Sequence, residues 1–127
     1  RGFTALKIDL DIFAYGHVGS ETAHYVKDPF NMTPNRWEHD RMVKLAEMVV
    51  QAAGPEIEVA CDLHTRFDKH SAIRLARDLE HLKLMWLEEP VPPENVDTMR
   101  EITAATSTPI CAGENLYLRH GFRDLIE

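Results

Sequence analysis

Three acids stand at the ends of three short apolar runs: Asp62 in "VACDLHTR", Glu88 in "WLEEP" and Glu114 in "PICAGEN". Asp62 and Glu88 are 26 residues apart, and so are Glu88 and Glu114. A chain built only for stability turns at such places with Gly, Asn or Pro. If the three carboxylates converge, they repel one another unless a cation sits among them. Oxygen ligands of this hardness suit one divalent ion, Mg²⁺ or else Mn²⁺. With neither thiolates nor clustered imidazoles, the set does not favour zinc. Taken one at a time, acids after strands also serve as helix N-caps or surface charges, so it is their common register that carries the metal reading. Side chains alternate along a strand, so an Asp62 that faces this cluster brings His64 and Arg66 with it. Lys7 and Asp9 share a face in "LKIDL" for the same reason. Cys61 and Cys111, at odd offsets from their acids, are expected to point the other way, as buried reduced thiols among helices.

The elements that must carry these residues are legible as alternating strands and helices. Strands are expected at Thr4 to Leu10, Ile57 to Leu63, Leu84 to Glu89 and Pro109 to Glu114, short and apolar enough to be covered on both faces. A helix is expected from about Pro34 to Ala53, with Thr33 as N-cap, an apolar stripe of Met42, Leu45, Ala46, Val49 and Ala53, and Gly54-Pro55 as the stop. Others follow at about Lys69 to Leu82, capped by Asp68, at about Glu94 to Ala105, and from about Arg119 onward. This alternation argues for a parallel sheet of βαβ units. No glycine-rich phosphate loop follows any strand, which favours a (β/α)8 barrel over a doubly wound sheet. In a barrel the active site lies where strands end, and all three acids are there. The fold class is therefore α/β, with residues 1–127 forming part of a barrel domain. One interval is too long for an ordinary connection: residues 11–33 are polar and broken by Gly16, Gly19 and Pro29. They are expected to form a lid-like loop, with Tyr15, His17, His24 and Tyr25 as the residues a lid would offer. A surface excursion without chemistry is the plain alternative.

Composition excludes several function classes. The chain has 127 residues, 44% hydrophobic and 28% charged, as in a folded globular domain. A net charge of -7 with scattered basic residues has the wrong sign for nucleic-acid binding. No apolar run approaches the roughly 20 residues that span a bilayer, and no signal-peptide pattern opens the chain. A cytoplasmic protein without a membrane partner is expected. The chain starts without Met close to a strand and stops within a helical pattern, so a piece of a longer protein is expected too.

From "LKID" through "CDLHTR" and "WLEEPVPPEN" to "GENLY", the chain resembles the enolase superfamily, in its mandelate racemase-like branch and particularly its acid-sugar dehydratases of galactonate and mannonate type. The resemblance places the segment at about strands two to five of the barrel. It implies Asp62, Glu88 and Glu114 as ligands of an essential Mg²⁺, with Glu89 pointing away or supporting them. It implies that Lys7 neutralises the substrate carboxylate and that His64 acts as the general acid that protonates a departing 3-hydroxyl. Arg66 and Asp9, with Tyr15 and His17 of the loop, are then substrate-binding. The family's second lysine is replaced by Asp9, a departure that speaks against two-base racemisation on this strand. The general base is expected on a later strand. The implied protein is a homo-oligomeric lyase that takes a small sugar acid and gives a 2-keto-3-deoxy acid. The alternatives are a racemase or epimerase of the same superfamily, and a non-catalytic barrel that binds metal or sugar acid.

Overall fold

The computed structural model describes residues 2–11 and 32–127. Strands β1 (Ala5–Asp9), β2 (Glu58–Asp62), β3 (Leu87–Glu88) and β4 (Ile110–Cys111) form one sheet in that order, every pair parallel. Helices α1 (Arg36–Ala53), α2 (Lys69–Asp78) and α3 (Val96–Ala105) lie between successive strands, and α4 (Leu118–Ile126) follows the last. Parallel strands need such crossovers, because a tight hairpin reverses the chain and gives an antiparallel neighbour. The ladder outruns the two shortest strands. Met85 and Cys61 bond across to Val59 and Trp86, and Leu87 and Glu89 donate to Pro109 and Cys111.

The core lies between the sheet and its helices. Val59, Cys61, Leu63 and Leu87 face Met42 and Ala46 of α1, Ala72, Leu75 and Ala76 of α2, and Met99 and Ile102 of α3. Leu45, Val49, Ala53, Ile73 and Leu82 pack against it half-buried, so the helical stripes read from the sequence are the faces that are buried. His39 is a polar member of this layer, 2% exposed, with Nε2 2.7 Å from Asp78 Oδ2 at the end of α2.

The helix ends differ from expectation in three places. Asn35, rather than Thr33, caps α1: its side chain accepts from Glu38 N–H and Glu38 reaches back to Asn35 N–H, a reciprocal pair that threonine two residues earlier cannot make. Thr33 instead donates to Asp68, the cap of α2, which also accepts from the N–H groups of His70 and Ser71. α2 stops at Asp78 and continues as a 3₁₀ turn, Glu80–Leu82, closed by Lys83 in the left-handed region at φ 52°. α3 starts at Val96 behind an Asn95 cap.

Cys111 does not point with Cys61. Cys61 pairs with Leu87 and lies in the core, whereas Cys111 pairs with Glu88, which pairs with Asp62. In a parallel ladder, paired residues present their side chains on one face, so Cys111 is on the carboxylate side. The offset argument fails because the chain does not stay extended between Cys111 and Glu114. Both thiols are free, as expected. Residues 12–31, which hold Tyr15, His17, His24, Tyr25 and most of the expected lid-like loop, lie outside the described residues.

Candidate active site

The register places Lys7, Asp9, Asp62, Glu88 and Cys111 on one face of the sheet, near the C-terminal ends of their strands. Asp62 and Glu88 are buried there. Glu114 arrives from a turn after β4 rather than from the strand, and is exposed. Its approach depends on Gly113, at φ 132°, where an added Cβ would meet the Phe122 ring at 2.9 Å. A side chain at 113 is opposed both by the backbone conformation and by space. Glu89, fully buried, holds the same turn: its carboxylate accepts from Gly113 N–H at 2.5 Å and from Asn115 Nδ2 at 3.5 Å. One carboxylate oxygen from each of Asp62, Glu88 and Glu114 lies within 4.8 Å of the other two.

Lys7 is among them. Its ammonium donates to Asp62 Oδ2 at 2.7 Å and to Glu88 Oε1 at 2.7 Å. Those two hydrogen bonds hold its pKa well above that of an ordinary lysine, against a smaller opposing effect of burial. Trp86 Nε1 donates to the other Glu88 oxygen at 2.8 Å, so both oxygens of Glu88 are engaged.

His64 reaches the same face by a different route from the one alternation predicts. β2 has ended, and His64 and Thr65 turn through positive φ of 47° and 60°. Asp62 Oδ1 accepts from His64 N–H at 3.1 Å, and Thr65 N–H donates to the Glu89 carbonyl at 2.7 Å. The ring lies with Nδ1 2.9 Å from Asp11 Oδ1 and Nε2 3.8 Å from both Asp9 Oδ1 and Asp62 Oδ2. Asp9, Asp62 and His64 thus form a second close group of ligand atoms, overlapping the first at Asp62. Burial opposes charge on His64, but the Asp11 hydrogen bond and the charges of Asp11, Asp62 and Asp9 outweigh it and raise its pKa. Arg66 Nε lies 3.6 Å from Asp11 Oδ2, so this arginine faces inward beside the cluster. Burial pushes the Asp11 carboxyl above the usual range, while the His64 bond and the charges of His64 and Arg66 pull it down.

Sequence reasoning had singled out Lys7, Asp9, Asp62, His64, Arg66, Glu88 and Glu114, and the fold brings them together. It missed Asp11 and Trp86. The signal was present in both cases: Asp11 continues the alternation of Lys7 and Asp9, and Trp86 sits two residues before Glu88.

In a Mg²⁺ site with bonds of about 2.0–2.1 Å, neighbouring ligand oxygens sit about 3 Å apart and opposite ones about 4 Å. Oxygens already within 4.8 Å reach that arrangement by small side-chain movements, so the donor set fits a hard divalent ion.

The acids of this parallel β/α sheet gather at the C-terminal ends of its strands, the position that active sites take in β/α barrels. The chain belongs to the enolase C-terminal domain-like family, whose pattern matches residues 1–127. It is 40% identical over 126 residues to D-xylonate dehydratase of Haloferax volcanii, covering 99% of this chain and 28% of that protein. It is 31% identical over 121 residues to a D-mannonate dehydratase of Caulobacter sp. strain K31, covering 89% of this chain and 30% of that protein. Among solved structures it resembles a mandelate racemase/muconate lactonizing enzyme-like protein from Rubrobacter xylanophilus, with TM-score 0.85 and 48% identity over 99% of this chain and 30% of that one. The chain therefore spans under a third of the length of these relatives, and its sheet is a segment of the family's C-terminal TIM-barrel domain. Among the described residues no helix is long and apolar enough to cross a membrane.

Proposed function

We propose that the protein containing this chain is a Mg²⁺-dependent dehydratase of a sugar acid, removing the proton α to the carboxylate and the 3-hydroxyl to give a 2-keto-3-deoxy acid. The observation that carries this reading is the meeting, within 4.8 Å, of one oxygen each from Asp62, Glu88 and Glu114, beside Lys7 and His64. The dehydratase names of the relatives support it. Asp62, Glu88 and Glu114 would hold the ion. When bound, it supplies positive charge against the dianion left when the α proton departs.

The chain's own residues supply the rest. Lys7, a cation on the same face, binds the substrate carboxylate and disfavours its departure from the site as charge grows. His64, protonated, gives its Nε2 proton to the 3-hydroxyl. The C3–O bond then breaks with its electron pair on oxygen, water leaves, and the resulting enol becomes the 2-keto acid. Arg66 and Asp9 flank the sugar hydroxyls, and Tyr15 and His17 are assigned to substrate binding with them. The base that takes the α proton is assigned to the part of the relatives' length that this chain does not span. Assembly as a homo-oligomer in the cytoplasm belongs to the same proposal.

The test uses the full-length protein with Mg²⁺ and a panel of D-xylonate, D-mannonate and D-galactonate. A 2-keto-3-deoxy product, lost on chelation of the metal, is expected from at least one. His64→Asn is expected to lower dehydration on the order of 10²- to 10⁴-fold, as for a lost general acid, while α-proton exchange with solvent deuterium persists. Exchange without water loss in the unmodified protein points instead to an epimerase or racemase. Mg²⁺ binding with neither reaction points to a non-catalytic barrel.

A further inference from the structure

His64 lies beyond the end of β2 at positive φ, where strand alternation no longer dictates direction, and its backbone N–H donates to Asp62. The ring itself is held by Asp11, 53 residues earlier in the chain, through the 2.9 Å contact between Nδ1 and Oδ1. Asp11 is well placed for this. It lies two residues beyond β1, next to Leu10, whose N–H donates to the Asp62 carbonyl of β2, and it is 2% exposed. A carboxylate so buried is costly unless cations or donors face it, and here His64 and Arg66 do.

We propose that Asp11 is the positioning residue for His64: its carboxylate accepts from Nδ1–H and so presents Nε2 to the carboxylate cluster and to the substrate. The inference rests on the reading of His64 as the general acid and goes one step further, because it says which nitrogen does the work. An imidazole that gives up its Nε2 proton is left with the proton on Nδ1, the tautomer Asp11 can hold. The ring need not turn during the reaction, and Nε2 is returned to the same place for the next proton. An amide in place of Asp11 can donate to Nδ1 and select the opposite tautomer, the effect known for the aspartate of serine-protease triads. Arg66 Nε lies 3.6 Å from the second oxygen of Asp11, while the first oxygen is the one in contact with His64.

The experiment has two arms on the full-length, Mg²⁺-loaded protein. Long-range ¹H–¹⁵N spectra of ¹⁵N-histidine-labelled protein at about pH 9 report where the neutral His64 ring carries its proton, with His64→Asn assigning the signal. The unmodified protein is expected to carry it on Nδ1; a proton on Nε2 overturns the proposal without recourse to any variant. In the second arm, Asp11→Asn is expected to shift the tautomer and to lower kcat on the order of 10²- to 10⁴-fold, with KM and Mg²⁺ affinity within about threefold. A variant that loses only yield or melting temperature, with kcat per folded molecule and tautomer unchanged, overturns it. The two readings fail separately. Full dehydration by His64→Asn sinks the general-acid assignment, whereas full dehydration by Asp11→Asn, in a protein that His64→Asn inactivates, sinks only the positioning role.

Discussion

The ammonium of Lys7 stands 2.7 Å from Oε1 of Glu88, a residue 81 positions further along the chain, and so sits inside the carboxylate group that would hold a metal. It neutralises part of the repulsion between Asp62 and Glu88 and therefore competes with any other cation for the same oxygens.

Replacement of Lys7 by methionine is expected to leave Mg²⁺ affinity unchanged or raise it severalfold, because a competing positive charge is removed, while dehydration falls by roughly 10²-fold or more. Isothermal titration with Mg²⁺ and product formation, measured on the same full-length preparation, check the two halves. A clear loss of Mg²⁺ affinity would contradict the competition.

The buried Glu89 carboxylate fastens the turn that delivers Glu114. Glu89→Gln keeps the volume but replaces a charged acceptor, so the Gly113 bond weakens. Mg²⁺ affinity is expected to fall about 10- to 100-fold, as for other residues that support a ligand without touching the metal. Titration of the metal is again the measurement, and unchanged affinity would mean the turn holds without Glu89.

Burial pushes the Cys61 thiol up to about 12. In the native protein it should resist a thiolate-seeking reagent at pH 8 and react only on unfolding. The linkage has a definite sign. Because the folded pKa is raised, the stability associated with this thiol is fully present below the unfolded value of about 8.5 and is lost as pH climbs from there toward about 12. Substitution of Cys61 by alanine should remove that part of the alkaline slope, which urea titrations at pH 8 and pH 10 can detect.

His39 Nε2, in the layer between α1 and α2, has Asp78 Oδ2 at 2.7 Å. Asp78→Ala strips a partner from a buried polar atom and is expected to cost about 1–3 kcal/mol of stability. Mg²⁺ binding should not change, since His39 and Asp78 lie on helices outside the carboxylate face. Denaturant unfolding of the variant checks the first point, and metal titration checks the second.

Local pattern determined a good deal of this protein. The strand and helix order follows from apolar periodicity, and Asp62, Glu88 and Glu114 are recognisable because each closes an apolar run in one register. Those features survive folding because backbone alternation and helical repeat are properties of a few neighbouring residues. The tertiary structure decided the remainder. It set Cys111 beside Glu88 rather than among the helices, brought Glu114 in from a glycine turn, closed Lys7 onto two acids, and placed Asp11 against the His64 ring. Each of these depends on pairing register or on the path of a loop after its strand has ended. Both are set by packing between segments tens of residues apart, for which a single strand's alternation carries no information.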